Sequence, residues 1–223
     1  MTSFPFDIVG FDLDGTLIDS SGDLTNAVNH ALALGGLPPL KVERVETMIG
    51  GGAKHMLAQA YRAAGGTDQD EFRRLYKAML AYYGDHLAVE SRPFPGAIEA
   101  LDELAARGVT LAIVTNKFES FAESLLGQLG LRDRFATLIG GDTLGPGLSK
   151  PHRAPIDAMI ERCGGDRAVF IGDSIYDIEA AKNAGIPSVA VSFGFLMQPV
   201  ETLGADAVID GYAALVPTLE GMA

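Results

Sequence analysis

Asp12 and Asp14 stand two positions apart, just after the largely apolar run Phe6-Asp7-Ile8-Val9-Gly10-Phe11, and are followed by Gly15 and Thr16. Residues two apart on an extended strand tip point the same way. Glycine then lets the chain turn sharply enough to bring backbone N–H groups around an anion. Two carboxylates so placed can divide labour, one attacking phosphorus and the other handling the proton of the leaving group. An ordinary strand-ending turn has the same composition, so the pair gains meaning only from what lies downstream.

Three further clusters fall where other strands would deliver them. Val109 to Val114 reads as a buried strand ending in Thr115-Asn116-Lys117, a hydroxyl and an amide suited to a phosphoryl oxygen. Ser149-Lys150-Pro151 reads as a helix opening, with the proline in the first turn and the lysine as a fixed cation. Ala168 to Ile171 reads as another buried strand, leading to Gly172-Asp173-Ser174 and on to Asp177. In open α/β sheets the ligand crevice lies outside the carboxyl ends of the strands, so all four clusters are expected to converge there.

With these motifs in place the chain resembles the haloacid-dehalogenase-like hydrolase superfamily, and within it the phosphoglycolate phosphatase branch. The resemblance covers nearly the whole chain and rests on Asp12-Leu13-Asp14-Gly15-Thr16, Thr115-Asn116, Lys150-Pro151 and Gly172-Asp173-Ser174 with Asp177. The stretches Arg92-Pro93-Phe94-Pro95-Gly96 and Ile139-Gly140-Gly141-Asp142 look like the same branch.

The elements needed to position these residues are legible in outline. Helical periodicity is expected over Asp23 to Leu34, Val42 to Ile49, Ala53 to Ala64 and Glu71 to Leu87, with Phe72, Leu75, Tyr76, Met79, Leu80 and Tyr83 on one face of the last and assigned to the core of a bundle. Pro93, Pro95 and Gly96 mark the return to the body, where strand and helix alternate through Ala97 to Arg107, Ser188 to Val191 and Ala207 to Ile209. Alternation of this kind implies a doubly wound, Rossmann-like α/β core with a parallel sheet. The expected division is a catalytic core of residues 1–19 and 92–223 and a helical cap of residues 20–91 inserted after the first strand. The resemblance implies that this cap closes over the site, with hinges at Asp19 to Gly22 and Glu90 to Pro95.

Composition restricts the partners. The formal charge of −12 disfavours nucleic acid and anionic membrane surfaces. An anion site in such a field needs a divalent cation and local lysines. No apolar run reaches the roughly 20 residues of a membrane span, and the N-terminus lacks a basic region followed by an apolar signal segment, so a cytoplasmic protein is expected. Cys163 is the one cysteine and cannot form an internal disulfide. Oligomeric state is not written in the sequence.

The resemblance implies a Mg²⁺-dependent phosphomonoester hydrolase. Asp12 would become an aspartyl phosphate, while Asp14 protonates the leaving alkoxide and then activates water. Mg²⁺ would be held by the Asp12 carboxylate, the Asp14 backbone carbonyl and Asp173, with Ser174 and Asp177 behind them. Thr115, the Asn116 backbone N–H and Lys150 would offset phosphoryl charge. The expected partner is a small phosphorylated metabolite, foremost 2-phosphoglycolate, with a sister phosphatase acting on pyrophosphate or a sugar phosphate, or a phosphomutase, as alternatives. Gly51 and Gly52 of the run Gly50-Gly51-Gly52, together with Lys54, are candidate substrate contacts, and Lys54 or Arg44 is the candidate reader of a substrate carboxylate.

Overall fold

The computed structural model describes residues 4–222, so the outermost residues of the expected core lie outside the described residues. Strands β1 (Ile8–Phe11), β4 (Thr110–Val114), β5 (Thr137–Ile139), β6 (Ala168–Gly172), β7 (Ser188–Val191) and β8 (Ala207–Ile209) form one sheet in the order β5-β4-β1-β6-β7-β8. Every pairing in it is parallel. The central strands are buried on both faces, which is why their sequences are almost continuously apolar.

Strand periodicity sorts the side chains into two layers. Val9, Phe11, Ile113, Val169 and Ile171 pack with helices α5 (Ala97–Ala106), α6 (Glu119–Gln128) and α9 (Leu215–Gly221). Ile8, Ala112, Val114, Ala168 and Phe170 pack on the opposite face against α7 (Ala154–Cys163) and α8 (Ile175–Ala184). The strand order reverses beside β1, because the chain runs from β1 outward to β5 and then returns to β6 on the other side. The open ends of β1 and β6 therefore flank the switch-point crevice expected of a doubly wound sheet.

Between the short antiparallel strands β2 (Ile18–Asp19) and β3 (Arg92–Pro93) the chain makes four helices: α1 (Ser21–Leu34), α2 (Val42–Glu46), α3 (Ala53–Ala63) and α4 (Gln69–Asp85). Their apolar faces form a separate cluster around Leu32, Leu57, Leu75 and Met79. The body reaches this cluster through the buried Phe195, with Phe94 and Phe121 packed beside it. Helix α4 starts two residues before the expected Glu71 because Asp68 caps it, accepting the Glu71 N–H at 2.7 Å. Strand β5, with three residues, is too short to show a period of its own.

A buried carboxylate ties the two crossings together. Asp23, at the start of α1, accepts the Glu90 N–H at 3.0 Å, the Ser91 N–H at 2.9 Å and the Ser91 hydroxyl at 2.7 Å. Asp23 and Ser91 are both almost fully buried, so neither is compensated by water. Asp23→Ala is expected to lower unfolding stability by about 2–4 kcal/mol in urea titration, since it strands buried donors that now meet a charge. A loss below about 0.5 kcal/mol, the range of ordinary surface changes, would show that this clasp contributes nothing.

Candidate active site

The four clusters do converge. Asp12 follows β1, Thr115 follows β4, Asp173 follows β6, and Lys150 comes from the loop ahead of α7. Ligand atoms of Asp12, Asp173 and Asp177 lie within 4.8 Å of one another, all buried. Lys150 is wedged beside them: its Nζ is 3.0 Å from Asp12 Oδ1 and 2.5 Å from Asp177 Oδ1, and donates to the Val114 carbonyl at 2.8 Å.

Each carboxylate is oriented by its own local structure. Asp12 Oδ1 accepts the Leu13 N–H at 2.7 Å. Asp173 accepts the Thr16 hydroxyl at 2.9 Å and the Phe195 N–H at 2.8 Å. Asp177 accepts both the N–H and the hydroxyl of Ser174 at 2.9 and 2.6 Å, a reciprocal cap at the start of α8. One residue thus caps a helix and holds the buried lysine. The turn between Asp14 and Thr16 requires glycine, since Gly15 has φ +83° and a Cβ there would meet Asp173 Oδ2 at 2.3 Å.

Burial dominates the electrostatics. It pushes the Asp12 carboxyl up to about 6, a rise opposed by Lys150 and reinforced by Asp177. Burial, followed by Asp177 and Asp12, raises Asp173 well above the ordinary carboxylate range. Burial also works against the Lys150 ammonium, but Asp12 and Asp177 outweigh it and hold its pKa above the usual value. Three carboxylates around one ammonium leave an excess of acidic groups in a largely buried site. That oxygen-only donor set fits a hard divalent cation.

Asp14 does not join this cluster through its side chain. It accepts the Ser20 hydroxyl at 2.6 Å and the Lys117 ammonium at 2.9 Å to each oxygen. Lys117 closes the tripeptide Thr115-Asn116-Lys117, and nothing in its sequence neighbourhood marks it for a role. It is 8% exposed and its Nζ also donates to the Tyr83 hydroxyl of α4 at 2.5 Å. No sequence signal links the two residues, because they are brought together only by packing of the inserted helices on the sheet.

The remaining candidates separate. Thr115 is buried and accepts the Lys117 N–H at 3.2 Å. Asn116 Nδ2 donates to the carbonyls of Gly50 and Lys150 at 3.0 and 3.1 Å, joining the glycine run to the body, while its Oδ1 is buried without a partner. Gly50 and Gly52 line the cleft above Asp12, whereas Gly51 backs onto His55 and the Tyr176 hydroxyl. Lys54 is exposed and lines a different groove, with Arg62 and Gln69, and Arg44 is exposed on α2. Neither cation lines the cleft, because the first turn of α3 turns Lys54 outward. The stretch Ser149 to Pro151 also differs from expectation: it is a turn with a cis Lys150–Pro151 bond, and α7 begins at Ala154 with Pro155 in its first turn. The turn, rather than a helix, aims Lys150 inward.

Residues 9–191 match the haloacid dehalogenase-like hydrolase family, and the chain belongs to it. It is 43% identical over 98% of its length to phosphoglycolate phosphatase from Agrobacterium fabrum, covering 95% of that protein. Identity to phosphoglycolate phosphatase from Caulobacter vibrioides is 42%, over 92% of this chain and 86% of that one. The crystal structure of a predicted phosphoglycolate phosphatase from Haemophilus somnus superposes with a TM-score of 0.88 at 33% identity, covering 96% of this chain and 98% of the other. Among the described residues no helix is long and apolar enough to cross a membrane.

The charge excess generates a pH test. Because the folded-state pKa of Asp12 is raised, its contribution to stability in metal-free protein is present below 3.8 and is lost as pH climbs through about 6. A cation bound to the ionised carboxylates reverses that loss. Adding a divalent cation to chelator-treated protein is therefore expected to raise the melting temperature more at pH 7.5 than at pH 5, and Asp173→Asn is expected to remove most of the gain. Equal gains at both pH values would mean that the cation binds elsewhere.

Proposed function

We propose that the chain is a Mg²⁺-dependent phosphatase that hydrolyses 2-phosphoglycolate through an aspartyl phosphate on Asp12. The observation that carries this reading is the placement of Asp12 and Asp14 on one cleft wall at the switch point, with Asp12 beside the buried Lys150 and the Asp173 and Asp177 carboxylates. The relatives from Agrobacterium fabrum and Caulobacter vibrioides support the substrate.

Asp12 is the in-line nucleophile, since its carboxylate opens on the cleft and Lys150 and the Leu13 N–H hold it in one orientation. Asp14, whose side chain lines the same cleft outside the carboxylate cluster and is paired with Lys117, moves the proton: it protonates the leaving alkoxide and then takes a proton from water. Thr115, the Asn116 N–H and Lys150 offset charge on the phosphoryl oxygens, a role in which loss of one donor costs about 10²–10³ in rate. Asp12, Asp173 and the Asp14 carbonyl would hold Mg²⁺, with Asp177 supporting Lys150. The ion, when bound, neutralises the phosphate and the facing carboxylates.

The four helices of residues 20–91 act as a cap over this floor. Leu24, Ile49, Met56, Met79, Leu80 and Phe121 give the cleft apolar walls that exclude water during the first transfer. The strand pair Ile18–Asp19 and Arg92–Pro93 is the hinge. The formal charge of −12 supports the reading that neither nucleic acid nor an anionic membrane surface is a partner.

Asp12→Asn is expected to abolish turnover and phosphoenzyme formation. Asp14→Asn is expected to slow alkyl phosphates far more than p-nitrophenyl phosphate, because a phenoxide leaves with little protonation. Retention of full activity by Asp12→Asn would sink the nucleophile assignment. In a panel with pyrophosphate, glucose phosphates, phosphoserine and phosphoglycerate, 2-phosphoglycolate is expected to show the highest kcat/KM with Mg²⁺ and none with chelator. A tenfold lead by pyrophosphate or a sugar phosphate would exclude the substrate.

A further inference from the structure

A two-carbon phosphate ester whose phosphorus meets Asp12 must place its second anionic group close by, within the same cleft. Among the described residues lining that cleft, Lys117 is the one cation, and most of the wall facing it is aliphatic or aromatic. Such a wall cannot solvate a carboxylate, and burying one without a charged or hydrogen-bonding partner is strongly unfavourable.

Lys117 and Tyr83 together offer what the wall lacks. The ammonium has three donors. One reaches the Tyr83 hydroxyl, and contacts of 2.9 Å run to each oxygen of Asp14, where a single contact would keep the pair. One donor can therefore turn to a ligand without loss of either anchor. The Tyr83 hydroxyl accepts from Lys117 and, among the described hydrogen bonds, donates to nothing, so its own proton is also available. Burial pushes this hydroxyl up to about 12 against the pull of Lys117, so it keeps that proton. The ammonium also lies 4.6 Å from the Tyr83 ring centroid, which holds the two side chains in register.

We propose that Lys117 and Tyr83 form the subsite that reads the substrate carboxylate, Lys117 by charge and Tyr83 by its O–H. This rests on the phosphoglycolate phosphatase reading above and assigns to this pair the role expected of Lys54 or Arg44. Because Lys117 comes from the loop after β4 and Tyr83 from inserted helix α4, the subsite is complete only when the insertion sits on the body as it does here.

The test compares 2-phosphoglycolate with ethyl phosphate, which keeps an alkoxide leaving group and lacks the carboxylate. In Lys117→Met the ratio of kcat/KM for the two is expected to fall about 30-fold or more, carried mainly by KM for 2-phosphoglycolate, as loss of a charged hydrogen bond implies. Lys117→Arg is expected to recover part of the ratio. Tyr83→Phe, which keeps the ring and removes one oxygen, is expected to lower it about fivefold and keeps the test decisive if Lys117→Met does not fold. A wild-type enzyme without preference for 2-phosphoglycolate over ethyl phosphate would remove the substrate reading and this subsite with it. A clear wild-type preference that survives within threefold in the folded variants would overturn the subsite alone and leave Lys117 as a residue that orients Asp14.

Discussion

One ammonium buried among three carboxylates governs this molecule. Lys150 contacts Asp12 and Asp177 directly, and Asp173 completes a cluster that carries more negative than positive charge. Taking ions out of water costs several kcal/mol each, even after relaxation, unless hydrogen bonds replace the lost hydration. The surrounding architecture supplies those bonds: a β4 carbonyl for Lys150, the Thr16 hydroxyl and Phe195 N–H for Asp173, and the Ser174 cap for Asp177. What it does not supply is a second cation inside the cluster, and that residual charge makes an external divalent ion the natural completion of the site.

The same constraint explains the asymmetry of the cleft. Its floor is made of charged groups at the ends of β1 and β4, and much of its roof is apolar and belongs to the inserted helices. A low-dielectric cover strengthens every interaction on the floor, and it also leaves few places for a second charge on a ligand. Contacts between the two halves include Asn116 to the Gly50 carbonyl, Lys117 to Tyr83, and the aromatic rings of Phe94, Phe121 and Phe195 against the helical cluster. Asp23 secures the double crossing that joins them.

Local pattern in the chain determined the fold class and the floor of the site. The apolar strand runs, the alternation of strand and helix, and the acidic or hydroxyl residues at three strand ends are all visible along the sequence, because each depends on neighbours within a few positions. A doubly wound sheet then leaves little freedom in where those strand ends meet. Asp12, Asp14, Thr115 and Asp173 were accordingly legible as residues that converge. The helices of the insertion were legible too, with end errors such as the start of α4 that follow from a cap rather than from periodicity.

Side-chain direction across the gap between insertion and body was not legible, since it depends on how two separately formed apolar clusters pack. Lys54 follows a glycine run that looks like a ligand loop, yet the first turn of α3 faces it outward, while Lys117, one residue beyond an expected phosphate contact, is aimed inward at Asp14 and Tyr83. Tyr83 sits at a helical spacing that assigns it to the core, and it is indeed buried, but the packing of α4 leaves its hydroxyl at the cleft. Asp177 carries the sequence signature of a helix cap and acquires its second partner only when the turn at Lys150-Pro151 reaches across from before α7. The chain alone determined which groups stand at the strand ends, because strand and helix periods are local. Tertiary packing decided which cations reach them, because a lysine or tyrosine in one element meets an aspartate in another only through the layers between.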